Sequence, residues 1–280
     1  MSYKSISIKR FRAEVESIDQ DFDRNLVKIG YLTACRASEL CNKTSPFDLL
    51  SGNSRPYGQF MEYALKDYEV TSREDPTLKE PIVTKAFVIT SAVAKRGKRI
   101  KRDSKQDEEE TATADDIKEA LIRYNQKGLL KKWEKGELEV DPRLIKALNS
   151  KMVFKAIALP IDREYEAWTY DLLMYWKKHR KLTFDHTRQY FNRVYRRALY
   201  NILPPAHRKN PRNILRHWRL SHLVEYYQFD AVQLSNYSGW TMKTAFTMQG
   251  MTASSSIDYY IHLAWKQYFR KLLRPIEQFM

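Results

Sequence analysis

Asn213-Ile214-Leu215-Arg216-His217, continued by Ser238-Gly239-Trp240 and then Asp258-Tyr259-Tyr260-Ile261-His262-Leu263, is the stretch around which the chain is organised. It puts an arginine at the opening of a helix, a Gly-Trp pair one helix and a turn later, and a tyrosine pair on a last helix. A distant stretch, Thr33-Ala34-Cys35-Arg36-Ala37-Ser38-Glu39-Leu40, carries a second arginine near the start of a short helix. Arg36 lies between apolar Leu32 and Leu40, so its guanidinium needs an acceptor, and Glu39 is the nearest candidate. An ordinary structural ion pair is the competing reading of that spacing.

Working outward, apolar residues at Phe11, Val15, Ile18, Phe22, Leu26, Ile29 and Leu32 recur at three- and four-residue steps, which predicts helices packed on a core. Residues 1–11 are basic and read as frayed or strand-like. Residues 42–56 are turn-rich, and a helix is expected around 57–67. The β-branched run Ile82–Thr90 predicts a strand. It leads into Ala94-Lys95-Arg96-Gly97-Lys98-Arg99, a basic turn around a glycine. Val153–Pro160 reads as a second strand that pairs with 82–92.

That pairing makes 101–150 an insertion within a β-hairpin. It holds an acidic loop from Asp103 to Asp116, a helix from Asp115 to Trp133, and a helical turn or two at 143–149. After Pro160 the chain reads as helical, over Tyr165–Tyr175 and then Phe184–Ile202. The second of these carries Arg188, Arg193, Arg196 and Arg197 beside Tyr190, Phe191 and Tyr195, one face for the core and one for a DNA backbone. The fold class expected is mainly α with a small antiparallel sheet, α+β, as a single domain over 1–280.

Composition narrows the functions. With 280 residues, 43% hydrophobic, the chain buries a core of its own. Its apolar runs fall far short of the roughly 18 to 20 residues that span a bilayer, and Met1-Ser2-Tyr3-Lys4-Ser5-Ile6 lacks a secretory h-region. Cys35 and Cys41 sit in or beside one predicted helix and suit free thiols in a reducing compartment. An intracellular protein without a membrane partner is expected, in the cytoplasm or nucleoid, or the nucleus of a host. The formal charge of +15 favours polyanions, bound in a salt-dependent way. There is no Gly-rich phosphate loop and no zinc-spaced Cys/His cluster, so no cofactor or metal is expected.

A phosphodiester in duplex DNA can be cut without metal if rigid cations clamp the anionic transition state, a tyrosine attacks, and an acid protonates the leaving 5′-oxygen. Arginine suits the clamp because its planar fork donates two bonds to phosphate and stays charged. A lysine of perturbed pKa serves as the acid. Lys95 is the first charge after the Ile82–Thr90 strand and projects from a hairpin tip; simple phosphate contact is the commoner role of such a lysine.

In these features the sequence resembles the tyrosine recombinase, or phage integrase, family. Thr33–Leu40 is similar to its first-arginine motif, Gly-x-Arg-x-Ser-Glu-Leu, and Asn213–His217 to its His-x-Leu-Arg-His motif. Phe229 to Trp240 resembles the segment ending in Leu-Gly-His, with tryptophan in place of histidine. Ser256–Leu263 resembles the segment carrying the nucleophile, and the two strands resemble the hairpin whose tip bears the catalytic lysine. The motifs occur in the family's order over nearly the whole chain.

The resemblance implies that Arg36 and Arg216 clamp the scissile phosphate and that Lys95, with Lys98 as the alternative, is the general acid. It implies that Trp240 donates to a non-bridging oxygen and that Tyr260, rather than Tyr259, is the nucleophile, since Ile261-His262 follows it as x-His follows the family's tyrosine. Glu39 then supports Arg36. Asn213 stands where the family has histidine, an amide that can donate but cannot act as a base; His217 is the alternative for that role. The family also implies double-stranded DNA as partner, and a tetramer on two DNA sites or a monomer in solution.

Two spacings depart from the family. The step from Trp240 to Tyr260 is 20 residues, about twice the usual, which leaves delivery of the tyrosine in cis or in trans open. Arg36 lies so near the start that the family's N-terminal core-binding domain is expected to be absent. A type IB topoisomerase-like relaxing enzyme and a non-catalytic DNA-binding protein that keeps the fold are the alternatives.

Overall fold

The computed structural model describes residues 6–42, 61–70, 81–93, 113–123, 127–139, 153–209, 211, 213–239 and 270–280. The apolar periodicity of the first 40 residues is realised as helices α1 (Ile8–Glu16) and α2 (Asp21–Leu32), followed by a short α3 (Ala37–Leu40). Ser7 opens α1, its hydroxyl accepting from the Arg10 N–H at 3.3 Å. Residues 8–11 are therefore helical, not frayed or extended as expected. Burial of Ile8 and Phe11 holds that first turn in place.

Three strands form one antiparallel sheet in the order β1 (Glu62–Val70), β2 (Ile82–Val93), β3 (Val153–Pro160). The molecule is thus α+β, with β2 and β3 at the expected places. β1 corrects the helix expected around 57–67, of which 57–60 lie outside the described residues. Glu62-Tyr63-Ala64-Leu65-Lys66 has helical propensity, but it pairs with β2 from Glu62↔Thr90 to Val70↔Ile82. The Tyr63 ring also stacks on Phe87 at 6.0 Å between centroids. Pairing and packing outweigh local preference, and exposed Glu62, Lys66, Asp67 and Glu69 keep this outer strand unattractive to other strands.

β2 pairs with β3 from Ala86↔Pro160 to Val93↔Val153, so residues 94–152 are inserted between paired strands. The helix expected from Asp115 to Trp133 is two helices, α4 (Ala114–Arg123) and α5 (Lys127–Glu134). Most of the acidic run and all of 143–149 lie outside the described residues.

After β3 come α6 (Arg163–His179), α7 (Arg188–Ala198), α8 (Ile214–Glu225) and α9 (Ala231–Ser238), then the short α10 (Arg270–Leu272). α7 starts four residues later than the expected Phe184 because Phe184 is held in extended form. Its N–H donates to the Leu40 carbonyl at 3.0 Å, and its carbonyl accepts from Asn42 at 2.9 Å. Among the described residues no helix is long and apolar enough to cross a membrane.

A buried polar network ties the helices together around Phe11, Tyr31, Trp168 and Trp218. Arg12 of α1 pairs with Glu166 of α6 and lies over the Trp168 ring at 4.2 Å. Arg219 of α8 sits among the rings of Tyr31, Tyr227 and Tyr237. Its Nε donates to the Tyr237 hydroxyl at 3.3 Å, which itself donates to the Leu32 carbonyl at the end of α2. A cation placed over aromatic faces keeps much of what it loses on leaving water.

His222 completes this network and sets a pH dependence. Its Nε2 lies 2.6 Å from the Ile6 carbonyl, which can only accept, so Nε2 carries the proton. Nδ1 then accepts from the Tyr31 hydroxyl at 2.7 Å. Burial first, then Arg219 and Arg12, push the imidazole down to about 4, the Ile6 bond opposing them. In the unfolded chain it titrates near 6.5, so between those values the unfolded state binds more protons. Stability from this group is complete above about pH 6.5 and is lost as the pH falls towards 4, by about 3 kcal/mol. Thermal unfolding over that range is expected to show the loss, and His222→Gln to remove most of it.

Candidate phosphate-binding site

Two close approaches bring α8 to the end of α2. Gly30 of α2 faces α8 and α7, and a Cβ there would meet the Tyr195 hydroxyl at 2.6 Å and Leu215 at 3.0 Å. Leu215 precedes Arg216, so this contact sets how near Arg216 comes to the turn after α2. In that turn Ala34 is fully buried with φ 45°, the left-handed region that side chains rarely adopt. It stands where the resemblance has glycine. Ala34→Val is expected to lower stability by about 2 kcal/mol or more. Ala34→Gly should stay within about 1 kcal/mol of the natural chain, relief of φ offsetting the lost methyl and the freer unfolded state. Denaturant unfolding measures both.

The bend aims two arginines from opposite ends of the sequence at one region. Arg216 lies in the first turn of α8 and is 4% exposed. Its Nη1 donates to the Ala34 carbonyl and its Nη2 to the Ser238 carbonyl, each at 2.7 Å. The guanidinium thus joins the turn before α3 to the end of α9, and its plane is fixed by both. Arg36 is the residue preceding α3, its side chain 31% exposed. Glu39, fully buried, accepts the Arg36 backbone N–H on Oε2 at 2.8 Å and the guanidinium on Oε1 at 3.0 Å. Glu39 is the acceptor expected for Arg36.

A third cation joins them. Lys155 of β3 is 2% exposed, and its Nζ donates to the Thr33 carbonyl at 2.9 Å. Burial pushes Glu39 up, but the charges of Lys155, Arg216 and Arg36 outweigh it and hold the carboxyl below its ordinary value. Burial pulls Arg216 down to about 10, Glu39 opposing and Arg36 adding to the effect, so it stays charged at neutral pH. With Lys155 protonated, three cations and one carboxylate leave a net charge of two positive units. In a partly dehydrated place such an excess attracts an anion strongly.

The remaining expected residues divide into two groups. Asn213 is placed at the N-terminus of α8, one turn before Arg216, and its side chain makes no capping hydrogen bond. His217 is half-buried and lowered by burial, then by His207 and Arg216, so it is neutral near pH 7. Lys95, Lys98, Trp240, Tyr259 and Tyr260 lie outside the described residues.

The sequence reading missed Lys155, although its signal was legible. In Val153-Phe154-Lys155-Ala156-Ile157-Ala158-Leu159, strand alternation puts 155 on the same face as Ile157 and Leu159, both buried. Cys35 and Cys41 are both buried. Among the described residues no group of three or more His, Cys, Asp or Glu side chains is placed to hold a metal ion. No family model, curated protein or solved structure matches this chain.

Proposed function

We propose that the chain is a site-specific DNA recombinase or integrase of the tyrosine recombinase kind, with that family's catalytic-domain fold, cutting and rejoining duplex DNA without metal or ATP. The observation that carries the reading is the meeting of Arg36 and Arg216 around Glu39, with Arg216 bonded to the carbonyl two residues before Arg36. The two lie 180 residues apart in sequence. A buried carboxylate that takes one arginine and leaves the site net positive suits a phosphodiester, which brings one negative charge.

In this mechanism the fixed guanidinium groups of Arg36 and Arg216 bind the non-bridging oxygens, where negative charge grows in the transition state. Trp240 donates a further hydrogen bond. The Tyr260 oxygen attacks phosphorus as its proton departs, forming a 3′-phosphotyrosyl bond. The P–O5′ bond breaks, and Lys95 or Lys98 protonates the leaving oxygen. Reversal with a second 5′-hydroxyl rejoins the strand, and the phosphotyrosyl bond conserves the energy. Neutral His217 can accept a proton where Asn213 cannot. The setting is intracellular, on a mobile element, virus or plasmid, with a tetramer assembled on two DNA sites. The test is covalent trapping: nicked duplex or supercoiled plasmid is mixed with protein without metal or ATP and quenched with SDS, and protein-linked DNA is the expected product. A type IB topoisomerase-like enzyme would also give the adduct, but would relax plasmid without joining two sites; a non-catalytic DNA binder would give none.

A further inference from the structure

A buried lysine on a strand is expensive, because an ammonium leaves water at large cost and lysines are rarely fully buried. Among the described residues Lys155 makes one hydrogen bond, to the Thr33 carbonyl, and a neutral donor could supply that. That bond therefore does not require its charge. What surrounds it is the turn that carries Arg36, the Glu39 carboxylate and the Arg216 guanidinium. Ser91 lies opposite it across the β2–β3 pairing, and the Cys35 thiol lies 3.8 Å from the Ser91 hydroxyl.

We propose that Lys155 is a positioning residue of the phosphate site: its ammonium holds the Thr33–Arg36 turn and balances Glu39, so that the positive excess at Arg36 and Arg216 is available to a bound phosphate. The inference rests on the reading of this site as a phosphodiester clamp. With Lys155 neutral or absent, the net charge of these four groups falls from two units to one. The Thr33 carbonyl also loses its partner, a cost offset in the folded state by relief of the buried ammonium.

Burial lowers the ammonium from its ordinary value, Cys35 and Glu39 oppose that, and Arg216 and Arg36 add to it. Loss of that proton as the pH rises through the lowered value therefore weakens anion binding while favouring the folded state, since the unfolded chain then holds the extra proton. A purely structural lysine would not pair these opposite trends. Arginine at the same position does not titrate there and keeps its affinity.

The experiment measures binding of nicked duplex DNA by fluorescence anisotropy from pH 7 to 10 at fixed ionic strength, with thermal unfolding alongside. The proteins compared are the full chain, Lys155→Met and Lys155→Arg, each also with Cys35→Ser to remove the neighbouring thiol. Lys155→Met is expected to bind about tenfold more weakly with its melting temperature unchanged or raised. Lys155→Arg is expected to bind nearly as the natural chain at pH 7 and to hold that affinity at pH 10, where the natural chain weakens.

Unchanged binding in Lys155→Met overturns the proposal. So does a loss that tracks a lower melting temperature, or an alkaline decline equally present in Lys155→Arg. Absence of protein-linked DNA together with the expected Lys155 effects sinks the recombinase reading and leaves the positioning role standing. If the natural chain binds no DNA, the thermal shift given by inorganic phosphate, present in it and lost in Lys155→Met, decides the positioning role by itself.

Discussion

Tyr260→Phe is expected to abolish protein-linked DNA, with a loss of at least about 10⁴-fold in strand cleavage, while binding of duplex DNA stays within about twofold. The phenolic oxygen is the atom that forms the bond to phosphorus, and phenylalanine keeps the ring while removing it. Tyr259→Phe is the matched control. On the helix that the sequence predicts there, consecutive positions point about 100° apart, so only one of the two hydroxyls would face a given phosphate. The adduct should therefore survive Tyr259→Phe. The outcome that sinks the assignment is an adduct lost with Tyr259→Phe and kept with Tyr260→Phe, which moves the nucleophile by one residue and leaves the chemistry intact. Survival of the adduct in both variants would remove the tyrosine mechanism from these positions altogether.

Glu39→Gln is expected to lower stability by about 3–5 kcal/mol, the largest effect on folding among the site residues. Gln keeps the shape and can still accept the Arg36 N–H, but it leaves Arg36, Arg216 and Lys155 without their common counter-charge. Isolated buried cations are costly, and Arg216 and Lys155 are both almost fully buried. The pH dependence follows from the direction of the Glu39 shift. Its carboxyl titrates lower in the folded chain than the ordinary 4.5, so its contribution is present above that value and lost as pH falls through the folded value. Glu39→Gln should erase that acid-dependent loss while leaving the one between about 6.5 and 4 that belongs to His222. Urea unfolding at pH 7 and in acid separates the two. A stability change under about 1 kcal/mol for Glu39→Gln would mean that the three cations are solvated, and the dehydrated, net-positive site would be wrong.

Much of the fold was set by patterns that involve neighbouring residues only. The heptad-like recurrence from Phe11 to Leu32 fixed two helices, and the β-branched run at 82–90 and the apolar run at 153–160 fixed two strands. Ser7, which caps α1, is a local signal too, and it was there to be read. β1 was not legible, because Glu62–Val70 is a strand only by virtue of pairing with β2. Nor was the late start of α7, since Phe184 is held by backbone bonds to Leu40 and Asn42, some 140 residues away in sequence.

The site divides in the same way. Sequence alone supplied the residue types: an arginine in the first turn of α8, an arginine preceding α3 with a glutamate three residues on, and a surplus of positive charge. Glu39 as the partner of Arg36 follows from a three-residue spacing on one helical turn. Only the tertiary structure decided that Arg216 reaches the Ala34 and Ser238 carbonyls, that Ala34 bends left-handed to allow it, and that Lys155 stands beneath the same charge balance. Spacing along a chain fixes contacts within one turn or one strand pair. How three cations from a turn, a strand and a helix share one carboxylate depends on which elements pack together, and here the approach of α8 to α2 at Gly30 and the buried face of β3 decided it.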